Sequence, residues 1–159
     1  MVFDQIRIGQ GYDIHRRSAD GGRKLVLGGR VFEGYAGLVG HSDADVIAHA
    51  CTDALLGAAG LGDIGSLFPD NDSSLIGANS VDLLRQVAEL LAAAGWIPIN
   101  IDCTAVLDEP KLAPYRDEMQ AILSEAVGAP VTVKGKRTEN VPALAGAVQC
   151  HAVALVRAS

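Results

Sequence analysis

Basic residues, aromatic rings and paired cysteines are all scarce in this chain. Lysine plus arginine number 13 against 19 acidic residues, giving a net charge of −6, and aromatics are 4% of 159 residues. Nucleic-acid binding draws on a basic stripe and often on stacking rings, so this composition argues against nucleic-acid partners. An anionic ligand would have to be met locally, by a metal, a helix N-terminus or a few lysines. The three cysteines, Cys51, Cys103 and Cys150, lie far apart with no CxxC. That spacing argues against a disulfide framework and for reduced thiols inside a cell. No apolar run reaches the ~18 residues of a membrane span. Met1 to Ile8 mixes Asp4 and Arg7 among its apolar residues and lacks a signal-peptide core. A cytoplasmic protein without a membrane partner is expected.

With 49% apolar and 20% charged residues, the composition is that of a globular protein. The length suits one domain, residues 1–159, able to bury roughly 70% of its unfolded surface without a disulfide or metal. No repeat, linker or low-complexity tract interrupts it. Ile6-Arg7-Ile8 alternates as a strand, and Lys24 to Val31 reads as a second one after a turn at Asp20-Gly21-Gly22. Ser42 and Asp45 resemble a capping box for a first helix, with Val46, Ile47, Ala50, Ala54 and Leu55 at helical spacing. Asp63 to Ala78 is a polar loop. Ser80 caps a second helix carrying Leu83, Leu84, Val87, Leu90 and Leu91, which stops at Gly95. Ile97 to Ala105 alternates as a strand, and Pro110 suits the first position of a third helix ending before Gly128. Val131-Thr132-Val133 and Ala147 to Val156 supply the last strands. The order β-β-α-α-β-α-β-β predicts an α/β sandwich: one mixed β-sheet with helices on one face. The other sheet face then needs a cover, and subunit packing is the natural one.

Asp13-Ile14-His15 carries the first chemistry. In extended backbone, residues i and i+2 point to the same side, so a carboxylate and an imidazole can converge on one ion. Zinc accepts both ligand types, and catalytic zinc keeps three protein ligands and one open position. Alone, such a pair is a weak signal and reads first as an ordinary surface pair. Of the remaining histidines, His41 and His49 bracket the start of the first helix and His151 falls in a late strand. His49 shares a helix face with Asp45 and Asp53, either as a solvated acidic face or with a carboxylate holding its second ring nitrogen.

Longer motifs decide between these readings. They are Arg7-Ile8-Gly9-x-Gly11-x-Asp13-x-His15, His41-Ser42-Asp43-x-Asp45-Val46-x-x-His49-Ala50, Asp53 to Ala59, Leu61-Gly62-Asp63-Ile64-Gly65, Phe68-Pro69-Asp70-x-Asp72 and Pro110-Lys111. In order and spacing the chain resembles the 2-C-methyl-D-erythritol 2,4-cyclodiphosphate synthases of the non-mevalonate isoprenoid pathway. The resemblance implies Zn2+ on Asp13, His15 and His49, and Mg2+ or Mn2+ on Glu139. It implies catalytic roles for His41, Thr138 and Glu139. It implies substrate contacts from the Asp13-Ile14-His15 segment, and diphosphate contacts from His41 and Ser42. Asp63, Ile64 and Gly65 would hold the methylerythritol moiety, with Phe68, Pro69, Asp70, Asn71 and Asp72 beside it. Lys111 would lie against the cytidine. A homotrimer with sites between subunits is implied as well.

The implied reaction is attack of a 2-phosphate on the β-phosphorus of 4-diphosphocytidyl-2-C-methyl-D-erythritol 2-phosphate, closing a cyclic diphosphate and releasing CMP. Two rivals remain: a metal-dependent phosphohydrolase, and a non-catalytic trimeric ligand-binding protein. Ser42 interrupts the adjacent His-Asp pair of one hydrolase class, and a three-ligand site with an open position suits catalysis better than structure. The chain leaves the family pattern twice. Lys136-Arg137 stands where threonines are common, as charged phosphate contacts or as solvated loop residues. Residues 140–147 lack Arg, Lys, Asp and Glu, where the family commonly has a Gly-Arg-Gly-Glu segment associated with an axial isoprenoid diphosphate pocket. Val141, Leu144 and Val148 suit a dry seam there instead.

Overall fold

The computed structural model describes residues 5–19 and 21–159; Met1–Asp4 and Asp20, which belong to the N-terminal and turn readings above, lie outside the described residues. In chain order the elements are β1 (Ile6–Arg16), β2 (Lys24–Leu27), β3 (Arg30–Ala36), α1 (Val46–Ala59), α2 (Ile64–Leu67), α3 (Ser80–Ala93), β4 (Trp96–Val106), α4 (Arg116–Val127), β5 (Val131–Lys136) and β6 (Ala147–Ala158). Four strands form one sheet in the order β1-β6-β4-β5, while β2 and β3 make a separate two-stranded sheet. β6 is antiparallel to both neighbours, and β4 and β5 are parallel, joined by the α4 crossover. The sheet is therefore mixed, as expected.

The alternation of each strand decides which side is covered. Ile101, Cys103 and Ala105 of β4 and Val148, Cys150, Ala152, Ala154 and Val156 of β6 are buried against Ile47, Leu55, Leu84, Leu91, Met119 and Leu123 of the helices. α1 lies directly on β1 and β6. It can do so because Gly9 and Gly11 present no side chain: a Cβ at Gly9 would sit 2.0 Å from the Ala54 carbonyl oxygen, and one at Gly11 2.0 Å from that of Ala50. On the opposite face Ile6, Ile8, Tyr12, Ile14 and Val153 are exposed, Ile8 by 71%.

Several local expectations are corrected. Lys24–Val31 is not one strand but a hairpin, because Gly28 and Gly29 both take positive φ (58° and 78°), the backbone of a two-residue turn. α1 is capped by Asp45, whose carboxylate accepts from the Ile47 and Ala48 amides, and not by Ser42. Ala44 is left-handed (φ 60°), so the helix cannot extend back to Ser42. α3 is capped by Asn79, one residue before Ser80. Pro110 follows a cis Glu109–Pro110 bond instead of opening a helix, and α4 begins at Arg116 after a 3-10 turn at Ala113–Tyr115. Val148, assigned above to a subunit seam, points into the core and is fully enclosed.

Candidate metal and phosphate site

β1 places Asp13 and His15 on the side facing α1, and α1 returns His49 to meet them. The three donor atoms converge: Asp13 Oδ2 lies 2.9 Å from His15 Nε2 and 3.0 Å from His49 Nδ1, and the two nitrogens are 3.3 Å apart. Tetrahedral ligands with bonds of about 2.0–2.1 Å stand about 3.3 Å apart, so the triangle matches that of three zinc ligands with slight contraction. No other group of three such side chains converges among the described residues.

The outer nitrogens explain why the inner ones face one another. His15 Nδ1 lies 2.7 Å from the Val39 carbonyl oxygen, so it carries the proton and donates it. His49 Nε2 meets the Ser42 and Ser80 hydroxyls at 3.0 and 2.9 Å. Ser80 in turn donates to Asp43, through both its hydroxyl and its amide. With its outer nitrogen engaged in this way, each ring turns its inner nitrogen toward the carboxylate, as a donor to Asp13 when protonated and as a lone pair for a cation when not. Such a cluster attracts a cation, and tautomers fixed in this way are how proteins hold metal-ligating histidines. Burial would raise the Asp13 carboxyl, but hydrogen bonds from His15 and His49, with their charge, outweigh it and hold it well below the usual range. Burial would lower His15, but the hydrogen bond and charge of Asp13 raise it.

Neither carboxylate on the His49 face serves its ring, contrary to that sequence reading. Asp45 is fully buried and accepts from the Gly28 and Gly29 amides at 2.8 and 2.6 Å, locking the hairpin to the start of α1. Asp53 accepts from the Ile64 amide at 2.7 Å, tying α2 to α1. The ring's partners are hydroxyls, and the carboxylate behind them is Asp43. Ser80 was read only as a helix cap, because its partner lies 31 residues away.

Asp13, His15 and His49 line a cavity of about 300 Å3 together with His41, Ser42, Ile64, Gly65, Phe68 and Asp70. Gly40 lets the chain pass over His15, since a Cβ there would lie 3.1 Å from the ring. His41 Nε2 lies 2.7 Å from the Asp72 carbonyl oxygen, and Arg23 donates to the Gly40 and Ser42 carbonyls, so the 40–42 loop is held from both sides. Asp63 and Asp72 cap short turns, accepting from Ser66 and Ser74, and these bonds lower both carboxyls. Asp63, Pro69, Asn71 and Asp72 do not line the cavity. Ile14 alternates to the opposite sheet face and is not brought to the cavity.

A second cavity of about 250 Å3 is lined by Asp108, Pro110, Lys111, Leu112, Arg116, Lys136 and Arg137. It gathers Lys111 with Lys136 and Arg137, and adds Arg116, which no motif indicated. Thr138 is buried against Asp108, while Glu139 is exposed at the next position.

The YgbB family model matches residues 6–157. The chain belongs to that family. It is 48% identical over 155 residues to the 2-C-methyl-D-erythritol 2,4-cyclodiphosphate synthase of Chromobacterium violaceum, covering 94% of this chain and 97% of that protein. A solved 2C-methyl-D-erythritol-2,4-cyclodiphosphate synthase in its CDP-bound form superposes with a TM-score of 0.85 at 39% identity, covering 94% of this chain and 99% of the other. The bifunctional IspDF of Campylobacter jejuni gives a TM-score of 0.89 at 34% identity over 98% of this chain, which spans only 43% of that longer protein. This YgbB member thus has its metal-type cluster on the same fold as those synthases.

Proposed function

We propose that this chain is a 2-C-methyl-D-erythritol 2,4-cyclodiphosphate synthase, releasing CMP as it cyclises 4-diphosphocytidyl-2-C-methyl-D-erythritol 2-phosphate. The observation that carries the reading is the convergence of Asp13, His15 and His49 with both outer ring nitrogens already engaged. The donor set of one carboxylate and two imidazoles fits Zn2+, and a lone exposed Glu139 fits Mg2+ or Mn2+, which keep waters and take phosphate oxygens for their other ligands. The bound cations would supply positive charge against the phosphates, offsetting repulsion between two polyanions.

The protein's own part is positioning and exclusion. The 2-phosphate is already an anion, so its oxygen forms the new bond to the β-phosphorus without a general base. The bond to the bridging oxygen breaks and CMP leaves with that electron pair. His41 and Ser42 face the diphosphate from a loop tied down at Asp72, Gly40 and Ser42. Asp63, Ile64, Gly65 and Phe68 fix the sugar-alcohol rotamer that brings the phosphate in line, with Asp70 in the lining and Pro69, Asn71 and Asp72 beside it in the chain. Well-oriented intramolecular attack lowers a barrier by about 7–11 kcal/mol. Lys111, Lys136 and Arg137 line the cavity assigned to the cytidine nucleotide.

The exposed Ile6, Ile8, Tyr12, Ile14 and Val153 support a homotrimer closed over this sheet face, since a contiguous apolar patch of this kind marks an interface. Three free thiols, and no described helix long and apolar enough to cross a membrane, are consistent with a single-domain cytoplasmic enzyme. The test is phosphorus NMR of the product beside metal analysis. A cyclic diphosphate with CMP, and one zinc per chain, is the expected result. An open-chain bisphosphate would make the protein a hydrolase, and no turnover at full metal loading would make it a binding protein.

A further inference from the structure

Asp108 lies in neither metal cluster nor any recognised motif, yet it joins the two halves of the second cavity. β4 and β5 run parallel, and their ladder extends one step past Val106, where the Leu107 amide donates to the Lys136 carbonyl at 2.9 Å. There the strands part. Asp108 then closes the gap from its side, taking the Thr138 amide on Oδ1 at 3.1 Å and the Thr138 hydroxyl on Oδ2 at 2.7 Å. Immediately downstream the backbone turns through two left-handed residues, Glu139 (φ 52°) and Asn140 (φ 59°), and the Val141 amide returns to the Thr138 carbonyl at 3.0 Å. Neither residue is glycine, so this turn needs an external hold. The residue at its root, Thr138, is 5% exposed, and among the described residues its side-chain partner is Asp108.

On its other side Asp108 leads through Glu109 to Pro110 and Lys111, which line the cavity that Arg116, Lys136 and Arg137 complete. It is the one acidic side chain in that lining. An anionic ligand would be repelled by a carboxylate placed as a contact, but both oxygens are engaged with Thr138, and these bonds pull its pKa below the ordinary value.

We propose that Asp108 is a positioning residue that fixes the Thr138–Glu139 turn to the nucleotide wall, so that Glu139 is aimed at the diphosphate only while this grip holds. The proposal rests on the reading of Glu139 as the carboxylate for the second divalent ion. Its test is Mn2+ binding to the zinc-loaded enzyme in the presence of CDP, followed by electron paramagnetic resonance, together with the KM and kcat of cyclisation. Asp108→Ala and Thr138→Val should each weaken Mn2+ binding roughly tenfold, the scale of losing hydrogen bonds to a charged group. Zinc should stay at one per chain. The double variant should be no worse than either single one, and Thr138→Ser should restore Mn2+ binding because it keeps the hydroxyl. Glu139→Gln separates the layers. If Glu139→Gln abolishes Mn2+ binding while Asp108→Ala and Thr138→Val leave it unchanged, the positioning role is overturned and the reading of Glu139 stands. If Glu139→Gln itself binds Mn2+ normally, that reading fails and the proposal falls with it.

Discussion

The two cavities of this protein are built in opposite ways. The Asp13-His15-His49 cluster stands on the edge strand β1 and the buried helix α1, and its imidazoles spend their second nitrogens on a carbonyl and on buried hydroxyls. The second cavity stands on strand ends and turns, with Lys111, Arg116, Lys136, Arg137 and the nearby Glu139 all exposed and the Thr138 turn resting on one carboxylate grip. On the proposed function, the first is organised by the chain alone and the second would be completed by the substrate. Charge explains the division. A cation site with fixed donors can be formed by the chain alone. Cations gathered for a phosphate repel one another and gain their full stabilisation only when the anion is bound.

That comparison breaks most visibly at His49. His49→Ala should lose the metal and reduce turnover to background while circular dichroism stays native. The side chain is 11% exposed in the cavity lining, and alanine is a better helix former. A variant that keeps one zinc per chain would show that Asp13 and His15 do not need α1.

Gly11→Ala attacks the same site through packing. Its Cβ would meet the Ala50 carbonyl oxygen at 2.0 Å and the Ala54 amide nitrogen at 2.7 Å, both backbone atoms that cannot rotate away. β1 and α1 would have to separate, and Asp13 and His15 would leave His49. The expected cost is about 3 kcal/mol or more by urea unfolding. Gly34→Ala is the control: φ is 82°, yet nothing lies within 4 Å, so only the conformational cost of about 1 kcal/mol applies. Equal losses in the two variants would mean that close approach is not what sets the site.

Ser80→Ala is milder. His49 keeps the Ser42 hydroxyl at 3.0 Å but loses the link to Asp43. Zinc affinity should fall about tenfold, the low end for a partner behind a ligand. Competition with a chelator would measure it, and unchanged affinity would show that Ser42 alone fixes the ring.

These residues also mark what a single sequence makes visible. The Asp13-x-His15 spacing allows convergence because a strand has period two, whereas His49 on its helix stays open between a solvated face and a ligand until the longer motifs are read. The mixed sheet with one uncovered face followed from the order of strands and helices, and the one-sided burial of β4 from the alternation of Ile97 to Ala105. What escaped was set by partners far along the chain. Asp45 looked like half of a capping box, but its carboxylate also serves amides 16 and 17 residues away. Ser80 and His49 are 31 apart, Asp108 and Thr138 30 apart, and no local pattern records such pairs. The Gly28-Gly29 hairpin was missed because Leu25, Val26, Leu27 and Val31 read as one apolar run across it.

The smallest expected effect lies at the edge of the soft region, where the chain leaves its family. In the proposed trimer, segment 140–147 approaches the axis, and an isoprenoid diphosphate there would need cations to offset its desolvation. The segment has none, and Val148 is enclosed in the protomer core, so the seam would rest on Val141 and Leu144. Arg157 cannot substitute: it pairs with Ile6 at the far end of β6, about 33 Å along the strand from Ala147. The nearer cation is Arg16, which pairs with Ala147 itself. One such residue per subunit, without the companion groups of a built pocket, should leave geranyl diphosphate binding weaker than about 1 mM, below roughly 4 kcal/mol. Calorimetry on enzyme whose active sites are filled with CDP measures this directly. Saturable binding at one ligand per trimer, lost in Arg16→Gln, would overturn the prediction and make Arg16 the axial cation. The same binding retained in Arg16→Gln would mean that the charge comes from another part of the chain.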